Sequence, residues 1–281
     1  FRAGDIITRV GKAEISSGEE LKAASARFDE KPVTVQVLRG DERVQLSVAP
    51  AKLKTGEFSL GLWVRDGISG IGTVTFYDPE TGMFGALGHA VADADTGVVL
   101  PVREGSITKA SVTDVQRGES GAPGQLHGAF DFDETLGEIT ENTEHGIFGT
   151  FTRSALKSNS ALFSGDALEV ADEREIHTGA AYILANVSGS EIQRFEVEIS
   201  RVYSGSEAAG RTMLVTMKDD ALTSVTGGIV QGMSGSPIVQ DGKLVGAVTH
   251  VLVSDPAKGY AISIEKMLEQ ECAAKQLRKA A

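Results

Sequence analysis

The sequence predicts a mainly β protein, and three observations carry that prediction. Glycine is abundant, at 33 of 281 residues. Between the glycines lie short segments rich in β-branched and aromatic residues, among them Val33-Thr-Val-Gln-Val-Leu38, Gly72-Thr-Val-Thr-Phe-Tyr77 and Arg194-Phe-Glu-Val-Glu-Ile199. Helical patterning is confined to a stretch after Ser17 and to the end of the chain after Ser263. Short turn-separated segments of this kind build barrels or sandwiches rather than helical folds.

Composition narrows the function classes. The net charge of -12 argues against nucleic acid as a partner and against binding to an anionic membrane surface. No apolar stretch is long enough to span a bilayer, and no signal peptide is visible. Cys272 is the single cysteine, which excludes an intramolecular disulfide and a cysteine metal cluster. It falls in the predicted helix Ile264–Lys279, where packing is its expected role.

The first segment opens with Gly4-Asp-Ile-Ile7, a strand, a turn at Gly11-Lys12 and a short second strand. Ser17-Gly-Glu-Glu20 has capping-box spacing ahead of an alanine-rich helix. Val33–Leu38 and Arg43–Val48 then form a hairpin. Strand, strand, helix and hairpin in this order resemble the C-terminal part of a bacterial PDZ domain, expected over residues 1–52. The resemblance implies peptide termini as partners of a complete PDZ domain. The first strand and carboxylate-binding loop of such a domain lie upstream of Phe1, so no peptide site is assigned to this stretch.

The expected second domain, 53–281, begins with two glycine-separated strands in Leu60–Tyr77, with Trp63 expected in the core. Phe84-Gly-Ala-Leu-Gly-His89 places a histidine between small residues just after an apolar strand. There its ring is uncrowded and available for general-base work near neutral pH; a buried structural histidine is the alternative. Asp114 reads as a surface strand residue, and His127 and His145 read as loop residues without the short ligand spacing of zinc sites. The polar stretch Gly118–Glu144 reads as a surface insertion. Asp219-Asp220, after the strand Met213–Met217, reads by itself as a solvated turn.

The stretch Gly227-Gly-Ile-Val-Gln-Gly-Met-Ser-Gly-Ser-Pro-Ile-Val-Gln240 organises the rest. Ser234 lies between Gly232 and Gly235 on a turn entering a strand. A serine nucleophile needs a sharp turn whose N–H groups converge on a developing oxyanion, and small neighbours that admit a substrate carbonyl. The amides of Gly232 and Ser234 are the oxyanion-hole candidates. Taken alone, the stretch is equally a plain turn between strands. His89, an aspartate at 219 or 220, and Ser234 nevertheless occur in the chain order of chymotrypsin-type serine proteases, whose site lies between two β-barrels. His250, on the strand after the turn, is a candidate pocket residue or a packed strand histidine. Nothing calls for a cofactor or a metal.

Several of these stretches together resemble the SpoIVB peptidase family: Leu60-Gly-Leu-Trp-Val-Arg-Asp66, Gly70-Ile-Gly-Thr-Val-Thr-Phe-Tyr-Asp78, Gly85-Ala-Leu-Gly-His89, Gly146-Ile-Phe-Gly149 and Thr226–Ile238. Val248-Thr-His-Val251 and Asp255-Pro-Ala-Lys-Gly-Tyr260 extend the match. The resemblance implies a chymotrypsin-like fold after a PDZ domain and a catalytic set of His89, Asp219 and Ser234, Asp219 fitting the family pattern better than Asp220 and Ser234 better than Ser236. It also implies self-cleavage and cleavage of a regulator of an intramembrane metalloprotease, in the space between forespore and mother-cell membranes, which triggers activation of a late sigma factor. Membrane attachment would come only through a segment outside this chain. The competing reading is a non-catalytic scaffold that keeps the barrel and PDZ surfaces as docks; it has no need of His89, Asp219 and Ser234 together.

Overall fold

The structure is a computed structural model that describes all residues except 41, 164, 166, 204–209 and 270–281. The chain divides into two compact units, Phe1–Ser69 with Ala94–Val98, and Gly70–Asp93 with Val99–Ala281.

In the first unit, β1 (Ile6–Val10), β2 (Ala13–Glu14), α1 (Gly18–Ser25), β3 (Val33–Arg39) and β4 (Glu42–Val48) give a sheet of order β2-β1-β3-β4. Alternation turns Val35 and Val37 inward, fully buried with Val10 beneath α1's Leu21, as period-two patterning requires. Ser17 caps α1 by accepting from the Glu20 amide (3.2 Å). The reciprocal half of the expected capping box is displaced: the Glu20 carboxylate accepts from the amide and hydroxyl of Ser16 (both 2.6 Å). A two-stranded ribbon, β5 (Ala51–Lys52) with β6 (Phe58–Ser59), follows.

Of the two strands expected within Leu60–Tyr77 only the second forms, over Val74–Tyr77; residues 60–73 enter no strand, and Trp63 is fully exposed (104% relative accessibility) instead of in the core. Repeated glycines leave this stretch no continuous β-run to pair, so no sheet carries the indole inward.

The second unit opens with β7 (Val74–Tyr77), β8 (Met83–Ala86), β9 (Ser106–Gln116), β10 (Gln125–Thr143) and β11 (Gly146–Phe151), arranged β7-β8-β11-β10-β9. Gly118–Glu144 is therefore no surface insertion: most of it is the long strand β10, paired with β9 on one edge and β11 on the other. After α2 (Arg153–Ser158) come β12 (Glu169–Val170), β13 (Gly179–Ala185), β14 (Gln193–Val202), β15 (Met213–Met217), α3 (Asp220–Thr226), β16 (Pro237–Gln240), β17 (Lys243–Val251) and β18 (Lys258–Ser263). Strands β17-β16-β13-β14-β15-β18 close through a β17–β18 pairing into a six-stranded antiparallel barrel. Ile183, Ile199, Met213, Val215 and Ile238 fill it, each fully buried side chain being worth about 1.5–3 kcal/mol. A closed barrel with an open five-stranded companion gives the mainly β, chymotrypsin-like double-barrel fold. Among the described residues no helix is long and apolar enough to cross a membrane. The final helix is described over 264–269 only, so Cys272 lies outside the described residues.

Candidate active site

The turn that carries Ser234 is docked on the start of β7, which is itself bonded to the end of β8 just before His89. The Ser234 carbonyl accepts from the Thr73 amide (2.9 Å), the Thr73 carbonyl accepts from the Leu87 amide (3.2 Å), and the Gly235 carbonyl accepts from Thr75 Oγ1 (2.8 Å). A Cβ on Gly235 would lie 2.0 Å from the Thr73 oxygen, so only glycine permits this crossing of the two half-structures. Leu87 and Gly88 both take left-handed conformations, with φ of 68° and 69°. For a leucine this is a strained state that the surrounding packing must sustain. It redirects the chain after β8 and seats Gly88 against Thr249 and Ile262 of the barrel.

His89 is half-buried. Its Nδ1 lies 2.8 Å from the Ala90 carbonyl; a carbonyl only accepts, so Nδ1 carries the proton and Nε2 is left as the basic nitrogen. The chain beyond it is pinned by Asn142, whose Oδ1 accepts from the Val91 amide (2.8 Å) and whose Nδ2 donates to the carbonyls of Val91 (2.7 Å) and Leu100 (2.8 Å). Asn142 lies 53 positions after His89 in a polar run, and no local pattern marks it.

Ser234 is half-buried, and its hydroxyl donates to the Thr249 carbonyl (2.7 Å). Around it the amides of Met233, Gly235 and Ser236 are engaged by the carbonyls of Val230, Val248 and Met233. The amides of Gly232 and Ser234 have no acceptor among the described residues. Both remain available as donors to a ligand, which is what an oxyanion hole asks of backbone amides. Ser236 is wholly buried, and its hydroxyl has no hydrogen-bond partner among the described residues, so it is closed to substrate.

Asp219 is the N-cap of α3. Its carboxylate accepts from the Leu222 amide (2.9 Å), and no hydrogen bond joins it to His89 among the described residues. Asp220 is the exposed first residue of that helix. The pair forms a helix start rather than a solvated turn. His250, in contrast, faces His89 directly, with ring centroids 4.6 Å apart and planes tilted by 41°. Its proton affinity is lowered to about 4, first by crowding from surrounding protein on a ring that still reaches solvent, then by the like charges of His89 and Arg211. Asp114 pairs with His127 across β9 and β10, and His127 is an exposed strand residue rather than a loop residue. Among the described residues no cluster of histidine, cysteine or acidic side chains could hold a metal ion.

The arrangement brings to one seam a hydroxyl, an imidazole whose Nε2 has no hydrogen-bond partner among the described residues, and two unengaged amides. These are the parts needed for acyl transfer. A family model described as SpoIVB peptidase S55 matches residues 56–268. A comparison with curated protein sequences finds no match. Among solved structures, the active form of the Rv3671c protease from M. tuberculosis is similar at 13% identity with a TM-score of 0.40, over 89% of this chain and 82% of that one. The inactive form of the Rv3671c protease is similar at 15% identity with a TM-score of 0.35, over 54% of this chain and 72% of that one.

Proposed function

The chain belongs to the SpoIVB peptidase S55 family and is a serine peptidase, and on that premise we propose that Ser234 is its nucleophile and His89 its general base. One observation carries the proposal: the Ser234 turn, with the unengaged amides of Gly232 and Ser234, is hydrogen-bonded to Thr73, which is in turn hydrogen-bonded to Leu87, two residues before His89. The Ser234 hydroxyl leaves the Thr249 carbonyl, gives its proton to Nε2 of His89 and attacks the substrate carbonyl carbon. The two amides take the oxyanion, and the imidazolium then protonates the departing amine. Water, deprotonated by the same imidazole, releases the acyl group from Ser234. The Ala90 carbonyl does for the His89 tautomer what an acidic group does in a three-residue arrangement. We assign Asp219 to the start of α3, which leads into the nucleophile turn.

The physiological role we propose is self-cleavage together with cleavage of a regulator of an intramembrane metalloprotease, outside the cytoplasm between forespore and mother-cell membranes. Family membership supports the peptidase chemistry of this role, and the sheet and helix of the first unit support a PDZ origin for that unit. A fluorophosphonate probe tests the chemistry. Wild-type protein and Ser236→Ala are expected to label, and Ser234→Ala is expected not to label and to yield no self-cleavage fragments. Labelling that survives Ser234→Ala overturns the assignment.

A further inference from the structure

Strands β9 and β10 form an arm that leaves the five-stranded sheet and reaches the closed barrel at the nucleophile turn. At its tip the Gly118 amide donates to the Thr226 carbonyl (2.8 Å), the Gly121 amide to the Val253 carbonyl (2.8 Å) and Ser120 Oγ to the Ser254 carbonyl (2.9 Å). Arg117 Nη1 donates to the Ser224 carbonyl (2.6 Å). Ser224 and Thr226 are the last residues of α3, whose terminal carbonyls lack partners within the helix and favour a cation. The fit is close: a Cβ on Gly227 would lie 2.2 Å from the Gly118 oxygen.

Below the tip, the arm grips the turn itself. The Gln231 amide donates to the Gly124 carbonyl (2.9 Å), and the Gln231 carbonyl accepts from the Leu126 amide (2.8 Å). Leu126 is buried in the barrel core, and its side chain lies against Gly232. The Gln231 carbonyl and the Gly232 N–H belong to one peptide unit. Because a trans peptide is planar, fixing the carbonyl toward Leu126 aims the Gly232 N–H to the opposite side. Glycine at 232, with φ of 100°, offers little resistance of its own to rotation of that unit. The orientation is imposed from the arm.

We propose that the β9–β10 arm is a positioning element that locks the Gln231–Gly232 peptide in its oxyanion-binding orientation, with Arg117 and Ser120 as its anchors. The inference rests on the reading of Ser234 as the nucleophile and of the Gly232 amide as an oxyanion donor. Among the described residues no hydrogen bond joins the tip to Ser234, so the arm acts through the turn.

The test is saturation labelling of the whole chain by a fluorophosphonate, which separates the limiting labelling rate from the half-saturating concentration. Arg117→Ala combined with Ser120→Ala releases both side-chain anchors and leaves the core untouched. Loss of one oxyanion donor costs about 10²–10³ in rate, and a loosened peptide forfeits part of that. The limiting rate is expected to fall about tenfold, with half-saturation within about twofold and the fold retained by circular dichroism. Arg117→Lys combined with Ser120→Ala keeps a cationic donor for the Ser224 carbonyl and is expected to recover most of the rate. A wild-type limiting rate in the alanine pair, or an equal loss in the lysine pair, overturns the role of the arm while leaving Ser234 as nucleophile. A wild-type protein that fails to label sinks the nucleophile reading and this inference with it.

Discussion

The rings of His89 and His250 pack against each other, 4.6 Å between centroids with their planes tilted by 41°. Desolvation by the surrounding protein, and then repulsion between two charged imidazoles at that distance, lower the proton affinity of His250 to about 4. At neutral pH it is an uncharged ring that supports one face of His89, while the Ala90 carbonyl holds Nδ1.

A prediction follows from the sign of that shift. An unfolded histidine titrates near 6.5, so between about 6.5 and 4 the unfolded chain binds the proton that folded His250 refuses. Stability therefore declines as pH falls through that window. His250→Phe keeps an aromatic face without a titrating nitrogen, and urea unfolding from pH 7 to 4 is expected to show a shallower decline than wild type. An unchanged slope removes His250 as its source. At pH 7 the same variant is expected to label at Ser234 within about threefold of wild type, since the ring contact of aromatic pairs is worth about 0.5–1.5 kcal/mol and is largely preserved.

Asp219 separates capping from acid catalysis cleanly, because asparagine caps a helix about as well as aspartate does. Asp219→Asn is expected to label within a few-fold of wild type, whereas Asp219→Ala loses about 1 kcal/mol of stability and loosens α3. Where a triad aspartate orients the histidine, the amide costs about 10⁴ in turnover. A loss of that size in Asp219→Asn, with melting temperature unchanged, would put the carboxylate on His89.

Asp5 and Arg39 make a bidentate pair, Nε to Oδ1 at 2.7 Å and Nη2 to Oδ2 at 2.8 Å, with the Asp5 side chain only 3% exposed. The Arg39 guanidinium is the largest cause that holds the carboxyl down at about 2. A depressed carboxylate contributes stability that is complete above its unfolded value near 4 and is lost as pH falls through about 2. Acid titration of wild-type protein is expected to remove at most about 2–3 kcal/mol from the first unit in that window. Arg39→Ala is expected to be less stable at pH 7 and to lose less on acidification. A parallel acid profile in Arg39→Ala assigns the loss to other carboxylates.

The strands that alternate strictly, Val33–Arg39 and Gln193–Val202 among them, were legible because one buried face imposes period two. The Ser234 turn was legible because its glycines report close approaches that any side chain would block. Other features depend on partners remote in sequence. The residues Asp220–Thr226 are mostly weak helix formers, and α3 stands on its cap and on the arm, neither a local signal. The polarity of β10 suggested a loop, yet its hydrogen bonds go to β9 and β11, which a polar strand at the surface satisfies as well as an apolar one. His250 points outward from β17 by alternation, but no local pattern says that His89 meets it there. Trp63 failed as a core residue because its glycine-flanked stretch enters no sheet.

Gly235 gives the sharpest test of the seam. Its φ is 91°, and a Cβ there would meet the Thr73 oxygen at 2.0 Å and the Leu87 nitrogen at 2.7 Å. Neither is the end of a flexible side chain, so alanine must push the nucleophile turn away from the β7–β8 side that presents His89. A displacement of about 1 Å between reacting groups costs on the order of 10² in rate. Gly235→Ala is therefore expected to lose labelling at Ser234 by about 100-fold or more. The barrel core packs behind Ile238 and Val239, away from the clash, so the far-ultraviolet circular dichroism is expected to survive. Labelling at the wild-type rate in a folded Gly235→Ala protein would mean that the contact between the Ser234 turn and Thr73 does not set the distance on which the reaction depends.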